Sequence, residues 1–443
     1  MREKLVTDSE NFWGEVTENN MKNFTAGDLM PLEVIYALVR IKKAAAIANL
    51  QVGVLDEEKS ATVQSCADLI LTGEYDDQFP LRIWQTGSGT ATNMNVNEVI
   101  ANLAQRKFGV DLHPNNHVNL AQSTNDTFSS TLHIVPHFLY EQVLKTQLLR
   151  LIQTLADLRA QYSDVVKVGR THYQEAVPLK FEQELGAFEK AFTISKSHIE
   201  TALDQMRALA LGGTAVGTGI NAHPDFASAA CKQLQIFYNI EFYPDENSFY
   251  QIANKTAVAH YHSALRELTL TLIKLGNDLR LLSMGPRSGI CELILPANEP
   301  GSSIMPGKVN PTQIEALIQV CTTIIGNDTT VSLAASSGSL QLNVHMPLLA
   351  AKLVESTKLL GQVLENFIDN CLRKVTVNKE QVQHNLKNNL MLVTYLSGSI
   401  GYDLAAQVAK LALDKNLSIY EAIERTCTNN KELKQLINEV IFN

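Results

Sequence analysis

The chain has 443 residues, 45% of them hydrophobic and 19% charged, with a formal net charge of −9. A chain of this length buries a large core and divides into two or three domains. The acidic balance argues against nucleic acid as a main partner, because neutralising phosphates needs a basic face. It still leaves room for an anionic substrate held by local positive groups.

The N-terminal stretch MREKLVTDSENFWGE has no apolar core and little arginine, so it reads as neither a signal nor a transit peptide. No run approaches the roughly 18 apolar residues of a membrane span. Six cysteines (Cys66, Cys231, Cys291, Cys321, Cys371 and Cys427) are scattered without a C-x-x-C pair. They read as buried thiols in a reducing compartment, and the expectation is a cytoplasmic protein without membrane contact.

Going along the chain, polar clusters alternate with helical stripes. Thr86–Asn97 (TGSGTATNMNVN) and His113–Asp126 (HPNNHVNLAQSTND) come first, rich in hydroxyls and amides and poor in charge. Ser88, Thr90, Asn93, Ser123, Thr124 and Asn125 offer neutral hydrogen bonds suited to carboxylate oxygens. Helix capping accounts equally well for each cluster taken alone. Leu144, Leu148, Leu151, Leu155, Leu158 and Tyr162 then step by three and four. The cluster Gly169–Glu175 (GRTHYQE) reads as a loop. It carries Thr171 and His172, and histidine is the usual acid or base near neutral pH.

A second stripe runs from Leu185 to Leu209, and Gly212–Asn221 (GGTAVGTGIN) follows. Leu265–Leu282 forms a third stripe, Ile314–Ile324 a fourth and Leu353–Phe367 a fifth. Period-two alternation is nearly absent, so the middle of the chain is expected to be a bundle of five long helices. Leu268, Leu270, Leu272 and Ile273 spread round their helix, and such a helix needs cover on more than one face. Subunits are therefore expected to associate through the bundle.

Gly301–Gln313 (GSSIMPGKVNPTQ) is the most informative segment. Ser302 and Ser303 follow a glycine, Lys308 follows another, and Asn310-Pro311 opens a helix carrying Glu315 in its first turn. Such a loop gathers backbone N–H groups, a fixed positive charge and a hydroxyl, a setting for negative charge. The phosphate-loop alternative fails, because five residues separate glycine from Gly-Lys and Val309 follows the lysine. No G-x-G-x-x-G, H-E-x-x-H or G-x-S-x-G occurs, and no metal-ligand spacing appears. Beyond about Val375 the helices shorten, with breaks expected near Ser397–Gly401 and Asn429–Asn430.

Taken in order, TGSGTATNMNVNEVIAN, HPNNHVN, GRTHYQEAVPL, GGTAVGTGINAHP, PRSGICELILPANEPGSSIMPGKVNPTQIEAL and IGYDLAAQVAK resemble the fumarase/aspartase superfamily, and within it the class II fumarases. The resemblance runs from about residue 80 to 412. It implies an all-α, three-domain subunit with a central long-helix bundle. The domains are expected at 1–122, 123–374 and 375–443. It also implies a homotetramer with active sites shared between subunits, a small dicarboxylate substrate, and neither metal nor organic cofactor.

By the same resemblance Ser302 is the base and His172, held by Glu315, the acid. Ser88, Thr90, Ser123, Thr124, Asn125, Thr171, Lys308 and Asn310 bind the substrate. A second anion site is implied at His113, Asn115 and Asn116, although family members usually carry Asp where Asn116 stands. His172 and Thr312-Gln313 favour fumarase over aspartase, whereas Ser123-Thr124-Asn125 looks more like aspartase. The implied reaction is reversible hydration of fumarate to malate. The alternatives are an ammonia lyase acting on aspartate or a related succinyl substrate, and a non-catalytic helical homologue.

Overall fold

The structure, a computed structural model, describes residues 11–299, 301, 304–428 and 430–442. The described chain is overwhelmingly helical, as expected. Helix α1 (Leu32–Gln51) carries the alanine-rich run Ala44-Ala45-Ala46, strong helix formers that are all buried. Helix α2 (Thr90–Leu103) starts after Gly89, which sits at φ +77° as the N-cap. A Cβ there would lie 2.3 Å from the Phe128 ring, so only glycine fits. Helix α3 (Thr124–Leu139) is capped by Ser123, whose side chain accepts from the Asn125 N–H, with a reciprocal capping box through Asp126.

The five predicted stripes form five helices. They are α4 (Lys145–Gln161), α5 (Phe181–Asp204), α6 (Thr256–Leu282), α7 (Thr312–Ser336) and α8 (Met346–Asn370). Their stripe residues are buried, among them Leu151, Phe192, Leu272, Cys321 and Leu360. Leu270 on α6 is 49% exposed, so the apolar surface of that helix does extend beyond its buried stripe.

One expectation is corrected. The loop expected at Gly169–Glu175 is the tip of a hairpin of β1 (Val166–Thr171) and β2 (Gln174–Lys180). The strands are antiparallel, pairing Val166 with Lys180 and Thr171 with Gln174, with an irregularity between Val168 and Arg170. The β1 run Lys167-Val168-Gly169 is buried throughout, so period-two alternation never shows in its sequence. The hairpin turn is His172-Tyr173, with φ values of +56° and +61°. Both residues bear side chains in the left-handed region, which costs on the order of 1 kcal/mol or more each.

Two compact units emerge from the chain. The first comprises Met1–Thr146, Ser195–Thr269 and Cys321–Gln362; the second comprises Gln147–Ile194, Leu270–Val320 and Val363–Asn443. In the second unit, short helices after Asn378, beginning with α9 (Lys379–Asn388), pack round Leu392, Leu396, Val408, Ile423 and Ile437 together with Val168 of β1. Gly401 at φ +80° makes the break expected near Ser397–Gly401. Of the Asn429–Asn430 break, Asn429 lies outside the described residues, and a helix begins at Asn430. Among the described residues no helix is long and apolar enough to cross a membrane.

Candidate active site

The expected site residues fall into two sets, one in each unit. In the first unit, α2 and α3 bring their N-terminal polar residues together. The Ser88 and Thr90 hydroxyls share one hydrogen bond of 2.7 Å, so one of their two protons remains for an acceptor. Asn93 is 1% exposed and donates from Nδ2 to Thr124 Oγ1 (3.0 Å) and Asn119 Oδ1 (3.2 Å). Asn125 Nδ2 donates to the Ala215 carbonyl at 2.8 Å. The Ser123 side chain caps its helix.

Beneath this set lie two groups that the sequence reading did not single out. Asp126 Oδ1 accepts from the Ser123 N–H, and Oδ2 accepts from the N–H groups of Gly212 and Thr214, both at 3.0 Å. It thereby clamps the Gly212–Asn221 cluster against α3. Burial raises its pKa to about 6 against those backbone donors. Lys42, fully buried on α1, donates to Asn119 Oδ1 (2.8 Å) and Gln122 Oε1 (3.0 Å), and burial lowers its pKa to about 7. The available signal was a lysine inside the apolar run of α1.

In the second unit, the loop that opens α7 is closed on itself. Asn310 Nδ2 donates to the Gly301 carbonyl at 2.5 Å, and the Lys308 N–H donates to the Met305 carbonyl at 3.2 Å. A Cβ on Gly301 would lie 1.2 Å from the Lys308 carbonyl oxygen, so the two ends of the loop touch backbone to backbone. Ser302 and Ser303 lie outside the described residues. Lys308 is exposed and makes no ion pair among the described residues. It lines a cleft of about 1020 Å³ with Tyr173, Arg280, Val309, Pro311 and Glu315.

His172 lines a neighbouring cleft of about 670 Å³ with Lys167, Arg170, Glu184, Lys274 and Asp278; Tyr173 borders both clefts. No hydrogen bond or ion pair joins His172 to Glu315 among the described residues, and both are exposed. Behind the hairpin sits a charged network that the sequence did not signal beyond a lysine between valines. Arg170 grips Glu292 with two nitrogens (2.7 and 3.1 Å), and Lys167 pairs with Glu184 (2.9 Å) and Glu292 (3.4 Å). Asn385 of α9 donates to Glu292 at 3.1 Å. Burial alone would raise the Glu292 pKa; Arg170, Lys167 and Asn385 outweigh it and hold the carboxyl below its ordinary value.

At the expected second anion site, His113 caps the following turn. Its Nδ1 accepts from the N–H groups of Asn115 and Asn116, both at 3.1 Å. Those two donors are thus directed at the imidazole.

Comparison with known proteins places the chain in a family. The profile of the family described as Lyase matches residues 3–326, and that described as Fumarase C C-terminus matches 392–439. The resemblance therefore reaches well beyond both 80 and 412. The class II fumarate hydratase of Listeria monocytogenes serotype 4b is 43% identical over 96% of this chain and 93% of its own length. That of Bacillus subtilis is 44% identical over 94% and 91%. The crystal structure of a class II fumarase from Schistosoma mansoni superposes with a TM-score of 0.94 at 37% identity, covering 98% of this chain and 96% of that one. These matches and the long-helix fold define a lyase of the fumarase/aspartase superfamily. Within that superfamily, the chain belongs to the class II fumarate hydratases.

Proposed function

We propose that this chain adds water reversibly to fumarate to give malate, with Ser302 as the base. The observation that carries the reading is the near-full-length match to class II fumarate hydratases. The proton next to a carboxylate is weakly acidic, so its removal needs both a base and a place for the growing aci-carboxylate charge. Lys308 and Asn310, on the closed turn ahead of α7, supply that place. The free protons of the Ser88–Thr90 pair, of Thr124 and of Thr171 orient the substrate carboxylates. Asn125 adds an amide beside Thr124, and Ser123 keeps the N-terminus of α3 in position. His172 delivers a proton to the departing hydroxyl, with Glu315 as its partner.

Because His172 and Glu315 are unjoined within one chain, we place them in one site through association of subunits as a homotetramer. Support comes from the exposed apolar side chains of the long helices, Ile194 (40%), Leu270 (49%) and Leu333 (65%), which call for cover. The same reading leaves His113, Asn115 and Asn116 as a second, entrance anion site. It places the protein in the cytoplasm, in keeping with six free cysteines.

One assay tests the reaction: incubate the protein with malate, then with aspartate, and follow the absorbance of the fumarate double bond. Malate turnover without aspartate turnover is expected. Aspartate turnover would select the ammonia lyase that Thr124 hints at. Ser302→Ala should assemble normally and lose on the order of 100- to 1000-fold or more in turnover. Wild-type turnover in that variant would remove Ser302 from the mechanism.

A further inference from the structure

Lys42 touches neither the exposed surface nor the hydroxyls proposed to meet substrate, yet it is tied to them through two amides. Its Nζ can only donate while charged, so the Asn119 atom 2.8 Å away must be the carbonyl oxygen. Asn119 Nδ2 then faces the Gln122 carbonyl at 3.2 Å, a consistent acceptor. With an oxygen presented at 3.2 Å, Asn93 must turn its NH₂ group toward Asn119. The same NH₂ group reaches Thr124 Oγ1 at 3.0 Å, so the Thr124 hydroxyl accepts from within the protein. Its proton is thereby released to point away from Asn93. The carbonyl oxygen of Asn93 has no partner although it is buried, and the opposite orientation would leave the NH₂ group unmet there instead. One end of the Asn93 amide is unmet in either orientation, so the group that Asn119 presents decides its sense.

We propose that Lys42 is a positioning residue: through Asn119 and Asn93 it fixes the Thr124 hydroxyl as a donor toward the substrate carboxylate. The proposal rests on reading Thr124 as a carboxylate contact. Without the Lys42 donor, only the 3.2 Å bond from Nδ2 to the Gln122 carbonyl holds the Asn119 amide, which then turns more readily to present NH₂ to Asn93. Asn93 then presents its oxygen to Thr124, and the Thr124 proton turns inward. Thr124 then offers the substrate carboxylate a lone pair, which repels it, in place of a donor. The effect belongs to binding in both ground and transition states, so it appears in KM more than in kcat. Asp126 is the charged group facing Lys42, and it keeps its own partners at Ser123, Gly212 and Thr214 throughout.

The test is a double-mutant cycle on purified protein with malate as substrate. Lys42→Met should raise KM roughly ten-fold, the worth of one hydrogen bond to a charged group, with kcat changed far less. Thr124→Val should raise KM comparably, and the double variant should be no worse than Thr124→Val alone. Lys42→Gln, which keeps an N–H donor facing Asn119, should recover most of the loss. Should Lys42→Met fail to fold by circular dichroism, Asn119→Leu removes the first amide of the relay and takes its place in the cycle. Additive effects of the two substitutions, or a wild-type KM in Lys42→Met, overturn the relay. A wild-type KM in Thr124→Val instead refutes Thr124 as a carboxylate contact and takes the relay with it.

Discussion

Lys42 and Asp126 in the first unit are as deeply buried as Lys167 and Glu292 in the second, all between 0 and 2% exposed. Their electrostatic fates differ. Glu292 meets Arg170 and Lys167 directly, and those cations outweigh the cost of burial, so its carboxyl is held ionised. Lys42 and Asp126 feel each other's charge but make no ion pair; neutral amides and backbone N–H groups are their hydrogen-bond partners. Burial then dominates, and their pKa values move toward each other, to about 7 and about 6. Direct pairing locks charge under the His172 hairpin, whereas solvation by amides leaves charge near its tipping point under Thr124. The first arrangement makes a rigid anchor and the second an orienting device.

The largest expected effect is on the anchor. Glu292→Gln keeps the shape but leaves the buried Lys167 and the half-buried Arg170 without their shared carboxylate. Removing one partner of a buried pair costs about 3–5 kcal/mol, although Glu184 still meets Lys167 and sets the outcome toward the lower figure. Urea denaturation near neutral pH measures it. The sign with pH follows from the lowered Glu292 pKa: the wild-type advantage is present above the unfolded value of 4.5 and fades as pH falls through the folded one. A loss below about 1 kcal/mol at neutral pH would place Glu292 with ordinary surface pairs and break the contrast.

How much of this was legible in the sequence follows the same division. The five stripes could be read because each helix repeats its buried positions over more than four turns. Leu265, Leu268, Leu272, Leu275, Leu279 and Leu282 are all buried. The Gly301–Asn310 turn was legible because Gly301, Gly307 and Pro311 mark it locally. The hairpin was not, since its strands lack alternation and its turn uses His172-Tyr173 in place of the usual Asn-Gly. The buried charges were least legible of all. Glu292 and Arg170 are 122 residues apart in sequence, and Lys42 lies 77 residues from Asn119. No local spacing marks such partners.

A middle-sized effect is expected in the first unit. Asp126→Asn keeps one oxygen but turns an NH₂ group toward backbone N–H groups that now donate to the carboxylate, from Ser123 on one side or Gly212 and Thr214 on the other. An unsatisfied buried donor costs about 1–3 kcal/mol. Because the folded pKa of Asp126 is raised from 3.8 to about 6, the wild type gains stability as pH falls through that window while the Asn variant does not, so the deficit should grow below pH ~6. A deficit that is constant with pH would show that the clamp on Gly212–Thr214 does not depend on the Asp126 charge.

The smallest effect is the pH dependence that Lys42 itself imposes, and it separates the two regions most cleanly. A lysine whose folded pKa is about 7 and whose unfolded value is 10.5 binds more protons in the unfolded chain between those values. Stability therefore rises with pH across that window, as the native state is relieved of a buried cation. Lys255 is lowered to about 7 by burial as well, so two lysines contribute to the same slope. From about pH 7 to about pH 8.5 the other groups interfere least. His133 and His137 are depressed to about 3 and 4 and are already neutral there. Buried thiols such as Cys66 and Cys231, pushed up to about 12, oppose the rise only above the ordinary thiol value of 9.0. Within that window each lysine adds on the order of 1 kcal/mol to the rise. Lys42→Met should remove one of the two contributions and leave about half the slope in urea denaturation. Glu292→Gln, by contrast, should leave the slope intact while lowering the whole curve. If Lys42→Met kept the full slope, Lys42 would be held charged as firmly as the second unit holds Glu292, and amide solvation would rank with a direct ion pair.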